Sequence, residues 1–324
     1  MTQVYALGLG VGHQNSQGDW LDTFFAQPLI NPKTDVAEAF ISILNVTANQ
    51  GTYIPTATQL AQLAEILANI NPEQAAIASQ LAQSQAPICA VVLSEDSGPK
   101  TVPEAYLKLH LLSHRLVKPH QTSLEGIFGS LPNVAWTNQG PIDLTELPAK
   151  QLAARLKGEV LSVESVDKFP KMTDYVVPTG VRIAATSRVR LGAHIGEGTT
   201  IMHEGFVNFN AGTLGVSMVE GRISAGVIVG EGSDLGGGCS TMGTLSGGNA
   251  VVISVGDECL IGANAGLGIP LGDRCTIEAG LYVTAASKVA VVNEQGETVG
   301  TVKAADLAGK SDLLFRRHSQ TGAL

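Results

Sequence analysis

From residue 189 onward, small aliphatic side chains return at every sixth position. Val189, Ile195, Ile201 and Val207 lead through a weaker Thr213 to Val219. There the phase slips: the next members are Ile223, Val229, Leu235 and Thr241, four residues on and then six apart again. A loop at 243–250 interrupts the series, which resumes with Val255, Ile261 and Leu267. After Ile269-Pro270, the run Leu271, Ile277, Val283, Val289 completes it. Glycine often follows the aliphatic residue, as at Gly192, Gly196, Gly230, Gly236 and Gly262. A six-residue unit holds one short strand and one tight corner, and three units close a triangular coil. Each unit points one aliphatic side chain into the narrow interior, and glycine accepts the positive φ of a corner. An amphipathic helix is excluded, because each glycine would cost it ~1 kcal/mol. The period predicts a parallel β-helix over 179–292.

The pattern before it is different. Residues 4–9 form a short apolar run, read as a strand. Helical spacing follows in 35–48 (Val36, Phe40, Ile43, Leu44) and in 58–70 (Leu60, Leu63, Leu67, Ile70). Asn71-Pro72-Glu73 restarts a helix, with Asn71 as N-cap and Pro72 at the first helical position. Residues 88–93 (ICAVVL) read as a buried strand, and 103–116 and 143–157 as helices. The expected organisation is an α+β N-terminal domain (1–178), the β-helix (179–292) and a C-terminal segment (293–324). Thirteen of the 14 prolines lie at or before Pro178, which places the change of architecture near 176–180. Gly8-Leu9-Gly10-Val11-Gly12 lacks the spacing of a dinucleotide fingerprint, and a glycine-rich turn after the first strand is expected there.

Composition narrows the function. A hydrophobic fraction of 44% with 15% charged residues describes a folded globular chain. A net charge of −9 argues against general nucleic-acid binding, which needs a basic face. No apolar run reaches the ~20 residues of a membrane span, and no signal peptide is read at the start. Cys89, Cys239, Cys259 and Cys275 have no CxxC spacing and are expected as reduced thiols of a cytoplasmic protein.

Several strings carry more than a period. They are MHEGFVNFNAGTLGVSMVEGRISAGVIVG (202–230), LGGGCSTMGTLSGGN (235–249), GANAGLGIPLGD (262–273), EAGLYVT (278–284) and LLFRRHSQTG (313–322). With them the chain resembles the tetrahydrodipicolinate N-succinyltransferases, specifically the branch with a long N-terminal domain. The resemblance is dense over roughly the last 145 residues; the N-terminal part agrees mainly in length and layout. It implies an α+β domain followed by a left-handed parallel β-helix of hexapeptide repeats, assembled as a homotrimer. It also implies transfer of succinyl from succinyl-CoA to the amino group of opened tetrahydrodipicolinate, in the succinylase route to lysine and diaminopimelate.

The glutamate of the family's MVEGR motif, here Glu220, is implied as the catalytic residue. A carboxylate there can attack the thioester and pass the acyl group on, or take the proton lost by the amine, and the sequence leaves both roles open. Arg222, two residues on, shares its face if both lie on a strand, and a guanidinium can grip a carboxylate bidentately. Backbone N–H groups of Gly236-Gly237-Gly238 suit a developing oxyanion. By resemblance Gly237, Ser240, Ala263, Glu278 and Ala286 line the acyl-CoA groove, while Lys303 and Arg316-Arg317-His318-Ser319 meet the CoA end. Leu313, Leu314 and Phe315 point to a docked segment there rather than a frayed tail. No tightly bound cofactor is implied. Relatives can hold magnesium through the glutamate of MHEGF, here Glu204, with an acidic residue near the position of Ser187; in this chain the expected form of such a site is a ring of Glu204 around the trimer axis. This chain has Ala-Thr-Ser-Arg at 185–188, without that carboxylate.

His194 and His203 are the only histidines within the coils, too few for a zinc hydratase, which needs three. Asn208 and Asn210 are expected in stacked amide contacts. Arg182, Arg188 and Arg190 are candidates for a dicarboxylate acceptor by charge alone. The competing functions are another hexapeptide CoA-dependent acyltransferase, with a sugar or amino-acid acceptor, and a structural β-helix subunit.

Overall fold

A computed structural model of the chain describes residues 3–46, 50–243 and 251–324. It divides into two compact units, Met1–Leu111 with Thr122–Pro170, and Leu112–Gln121 with Lys171–Leu324.

The first unit is α+β. Strands β1 (Ala6–Gln14), β2 (Trp20–Phe24), β3 (Leu29–Ile30), β4 (Gln50–Tyr53) and β5 (Ile88–Leu93) form an antiparallel sheet in the order β2-β1-β5-β4, with β3 also on β1. A second sheet holds β6 (Val134–Thr137), β7 (Gly140–Asp143) and β8 (Val163–Asp167). The helices are α1 (Thr34–Leu44), α2 (Ala57–Leu67), α3 (Pro72–Leu81), α4 (Val102–Ser113), the short α5 (Ile127–Ser130) and α6 (Leu147–Leu156). Phe40 of α1 and Leu60, Leu63 and Leu67 of α2 repeat at three- and four-residue intervals and pack on Leu7, Leu9, Ala90 and Val92 of the sheet. Asn71 caps α3 as expected, its Oδ1 accepting from Gln74 N at 3.2 Å.

Several elements differ from the sequence reading; the helices expected over 58–70 and 103–116 end at Leu67 and Ser113. Gly8, Gly10 and Gly12 form no turn; they lie inside β1 and share one of its faces. A Cβ at Gly8 would sit 2.7 Å from Phe25 Cδ1, one at Gly10 2.6 Å from Thr23 Cγ2, and one at Gly12 2.2 Å from Asp22 O. Close approach of the neighbouring chain explains these glycines. The helix expected from 143 begins at Leu147, because Asp143 ends β7 and its carboxylate accepts from Thr145 N. α1 ends at Leu44, short of the expected 48, because its C-cap Asn45 turns left-handed with φ 54°.

The second unit contains the left-handed parallel β-helix. Its first face stacks Arg182–Ile183, Thr200–Ile201, Met218–Val219, Asp234–Leu235, Leu260–Ile261, Thr276–Ile277 and Leu314–Phe315. Phe206–Val207, Arg222–Ile223, Ser240–Thr241, Gly266–Gly268 and Tyr282–Thr284 make the second face. The third face holds Ala193–Ile195, Ala211–Thr213, Ile228–Val229 and Ser254–Val255. Pairing within each face is parallel. The six-residue series is the buried set: Ile195, Ile201, Val207, Val219, Ile223, Val229, Leu235, Ile261, Leu267, Ile277 and Val283 are all fully inaccessible.

Hydroxyls and thiols tie coil to coil at the corner between third and first faces. Ser217 Oγ donates to Ser233 O, Ser233 Oγ to Gly256 O (2.7 Å), Cys259 Sγ to Gly272 O (3.1 Å) and Cys275 Sγ to Lys310 O (3.2 Å). The four cysteines are free and buried. Residues 112–121 lie along the third face: Ser113 Oγ donates to Ala193 O, Arg115 Nε to Ile195 O, and the His194 ring pairs with Val117 O at 3.0 Å. After Thr284 the chain makes a hairpin (Lys288–Val292 with Thr298–Lys303) and returns to add the last strand of the first face, burying Phe315. The C-terminal segment is docked.

Candidate functional site

The corner between first and second faces is built from successive tight turns. Four residues join the strands at 202–205, 236–239, 262–265 and 278–281. At one level only two do so: Met218–Val219 passes through Glu220-Gly221 directly into Arg222–Ile223. The phase slip in the sequence is this shortened corner. Gly221 permits it, since a Cβ there would lie 2.3 Å from Cys239 Sγ and 2.5 Å from Cys239 O. Glu220 therefore sits in a notch between two fuller turns. It is a turn residue, and Arg222 begins the following strand, so they are not alternate residues of one strand as the sequence spacing suggested.

The upper lip of the notch is Gly236–Cys239. Cys239 N donates to Gly236 O at 3.0 Å and Gly238 has φ +70°, which is type II turn geometry. Glu220 Oε2 lies 3.4 Å from where a Cβ of Gly237 would be. The Gly237 carbonyl accepts from Asn264 N at 2.9 Å, while the Gly237 N–H has no hydrogen-bond partner among the described residues. The same turn recurs one level higher, where Asn264 has φ +54°, and again where Gly280 has φ +72°. Ala263 and Ala279 occupy the position of Gly237, and their N–H groups likewise have no partner among the described residues. A line of free amides thus climbs the corner from Glu220, one level every ~4.8 Å.

The other candidates fall around this line. Arg222 and Ser240 are direct register partners on the second face. The Arg222 side chain is exposed, and no carboxylate pairs with it among the described residues. Its charge and that of Glu220 both act on the Cys239 thiol, which burial pushes up to about 12. Glu278 stands at the corner in register with Glu220, its Oε2 accepting from Arg317 N at 2.6 Å, and Arg317 Nη2 donates to Gly280 O at 3.2 Å. Arg316 extends from the last strand, exposed. The His318 Nδ1 accepts from Thr321 N, which holds the 318–322 turn, and Ser319 is exposed within it. Ala286 and Lys303 are not at this corner. The segments that carry them pair beyond the second face, where Ala304 N donates to Ser287 O, Ala305 N to Ala285 O, and Lys303 is the register partner of Lys288. One three-residue strand, ~10 Å, separates the two groups.

Glu204 and His203 are exposed in the turn below the notch. Arg188 covers that turn, donating from Nη2 to Glu204 O at 2.8 Å and from Nε to Gly205 O at 3.1 Å. Within one chain, a guanidinium on these carbonyls with one carboxylate nearby does not fit a hard cation that wants several oxygen ligands. Among the described residues no group of three or more His, Cys, Asp or Glu is arranged for a metal. His194 is buried against Val117, and burial lowers its pKa, so it is a structural histidine. Arg190 donates to Asn208 Oδ1, Asn210 Oδ1 accepts from His120 N, and Arg182 is exposed. The loop at 244–250 lies outside the described residues. Sequence reasoning did not single out Gly221 or Tyr282 of the second face; the slip from 219 to 223 was the available signal for the first.

Comparison with known proteins identifies the family. Family models match at 43–129 (tetrahydrodipicolinate N-succinyltransferase N-terminal), 131–171 (the middle region of the same family) and 252–285 (hexapeptide repeat of succinyl-transferase). The chain is 64% identical to a 2,3,4,5-tetrahydropyridine-2,6-dicarboxylate N-succinyltransferase of Pseudomonas putida over 99% of its own length and 93% of the relative's. Enzymes of the same name from Pseudomonas aeruginosa and Vibrio cholerae are 63% and 59% identical, with 93% and 94% of their lengths covered. A crystal structure from Campylobacter jejuni, put forward as a 2,3,4,5-tetrahydropyridine-2-carboxylate N-succinyltransferase, superposes with a TM-score of 0.89 at 33% identity, covering all of this chain and 92% of that one. The chain belongs to the tetrahydrodipicolinate N-succinyltransferase family.

Proposed function

We propose that the chain transfers succinyl from succinyl-CoA to the amino group of opened tetrahydrodipicolinate, releasing CoA in the succinylase route to lysine and diaminopimelate. The observation that carries this reading is Glu220 in its shortened corner, its Oε2 3.4 Å from the open Cβ position of Gly237, in a chain of this family. The thioester carbonyl placed against Gly237 gains a hydrogen bond as its oxygen becomes negative. Glu220 then either attacks that carbonyl, expelling the CoA thiolate before the amine takes the acyl group, or accepts the amine's proton during direct attack. Arg222, free of an internal carboxylate, grips the distal carboxylate of the succinyl group, and Ser240 lies beside it. The CoA arm climbs past Ala263 and Glu278 toward Arg316, Arg317, His318 and Ser319. Lys303, with Ala286, approaches from across the second face. In this reading the β-helix (179–292) holds the reaction, the segment 293–324 holds the CoA phosphates, and the α+β domain is 1–178. The working form is a cytoplasmic homotrimer. No helix among the described residues is long and apolar enough to cross a membrane.

The test is thiol release from succinyl-CoA with and without tetrahydrodipicolinate or its analogue 2-aminopimelate, with acetyl-CoA as control. Release that needs both succinyl-CoA and acceptor is expected. CoA binding without release would assign another acceptor, and no binding would leave a structural subunit. Glu220→Gln should lower kcat at least ~10²-fold in a folded chain that still binds CoA. Intact mass after succinyl-CoA alone separates the two roles: a bound succinyl group indicates attack by Glu220, and an unchanged mass indicates a general base.

A further inference from the structure

The outer surface of the second face is one register column. Phe206 pairs with Arg222, Arg222 with Ser240, Ser240 with Gly266, and Gly266 with Tyr282. Their strand neighbours Val207, Ile223, Thr241, Leu267 and Val283 are buried inside the prism, so the column points outward. Gly266 leaves a gap in it that the Tyr282 ring occupies. A Cβ on Gly266 would lie 2.0 Å from Cδ1 and 2.2 Å from Cε1 of that ring. The tyrosine thus leans down its own column, across Gly266 toward Ser240, instead of standing out from the sheet. It remains 53% exposed. An aromatic side chain held in place with half its surface in water is a platform waiting for apolar contact.

Its place defines what would touch it. On one side, the free N–H groups of Ala263 and Ala279 belong to the corner turns that flank Gly266 and precede Tyr282. Below it are Ser240 and Arg222, and beyond the far end of its strand lies Lys303. A ligand climbing the corner from Glu220 past these amides has the ring on its second-face side. The arm of an acyl-CoA has the matching chemistry, with amide carbonyls alternating with methylene and dimethyl segments. We propose that the Tyr282 ring, laid over Gly266, is the apolar wall of the acyl-CoA channel, and that the two residues together set affinity for the acyl donor. The inference rests on the succinyl-transfer reading above. Tyr282 touches the donor's arm and not the reacting atoms. Its contribution belongs in donor binding, with the chemical step untouched.

Steady-state kinetics with both substrates varied test this, alongside CoA titration and sedimentation. Tyr282→Ala should raise KM for succinyl-CoA about tenfold, the scale of uncovering a large apolar side chain. Acceptor KM and kcat should stay within about twofold, since uniform binding is what is lost. Tyr282→Phe should behave as wild type, because the ring and not the hydroxyl makes the contact. Gly266→Ala should reproduce Tyr282→Ala, since the added methyl must push the ring away. An unchanged donor KM and CoA affinity in Tyr282→Ala would overturn the proposal while leaving the transferase reading intact. So would a change of oligomeric state accompanied by equal losses for both substrates, which would make the ring a subunit contact. A wild-type chain that neither binds CoA nor releases it from succinyl-CoA would overturn the underlying reading and this inference together.

Discussion

Glu220 and Gly237 face each other across one level of the β-helix, with Glu220 Oε2 3.4 Å from the space a Cβ of Gly237 would fill. That distance is an ordinary van der Waals contact, and Gly237 is not in the left-handed region. Gly237→Ala should therefore fold with little change in unfolding midpoint. Its methyl would occupy the approach of the thioester carbonyl, and kcat should fall about 10²-fold, as for a reacting group displaced by about 1 Å. Thermal melts and thiol release on one preparation check both halves.

Arg222 is expected to read the acyl group. Hydrogen bonds to a charged partner contribute about 1.5–3 kcal/mol, so Arg222→Ala should raise KM for succinyl-CoA tenfold or more. Acetyl-CoA lacks the distal carboxylate, and its turnover should not change. Arg222→Lys should recover only part of the preference, because an ammonium cannot offer the paired donors of a guanidinium. Competition between the two thioesters measures it.

Gly221→Ala acts on the fold instead. The methyl would overlap Cys239 Sγ and, at 2.5 Å, the Cys239 carbonyl oxygen, which cannot swing aside. Overpacking of this kind costs about 1–3 kcal/mol. Denaturant unfolding should show that loss, and Cys239→Ala in the same chain should not repair it while the carbonyl remains.

The α+β unit carries a titrating pair. His13 and Asp22 are opposite residues on β1 and β2, with Nδ1 2.9 Å from Oδ1. This hydrogen bond raises the His13 pKa above 6.5. The protonated ring is the stabilised form, so its contribution is whole below pH ~6.5 and disappears as pH rises through the raised value. With His13 56% exposed, solvent keeps the effect small. In Asp22→Asn the imidazole NMR titration should move down toward its ordinary midpoint.

The prism was legible because its physics repeats. One aliphatic position in six must be buried, and Ile195 through Val283 are. The helices of the first unit were readable where apolar spacing and caps coincide, as at Asn71. Its strands were harder: Gly8, Gly10 and Gly12 read as a turn because only the packing of Phe25, Thr23 and Asp22 on β1 explains them. At the corner, motif resemblance could name Glu220, and spacing with charge could name Arg222. It could not show that two residues are missing there, because the slip at Val219 acquires meaning only once each hexad is assigned to a face. The Tyr282 ring over Gly266 joins residues 16 apart and leaves no trace in local spacing.

The shortened corner also separates two properties of a solenoid that are usually treated as one. Val219 and Ile223 keep their inward positions and their pairing with neighbouring levels, though the outline between them is smaller by half a turn's chain. Interior and silhouette can thus be edited independently. An engineer wishing to place chemistry on a blank β-helix could begin by subtracting two residues from one corner, with glycine as the second of the pair that remains, and let the untouched levels above and below become the walls.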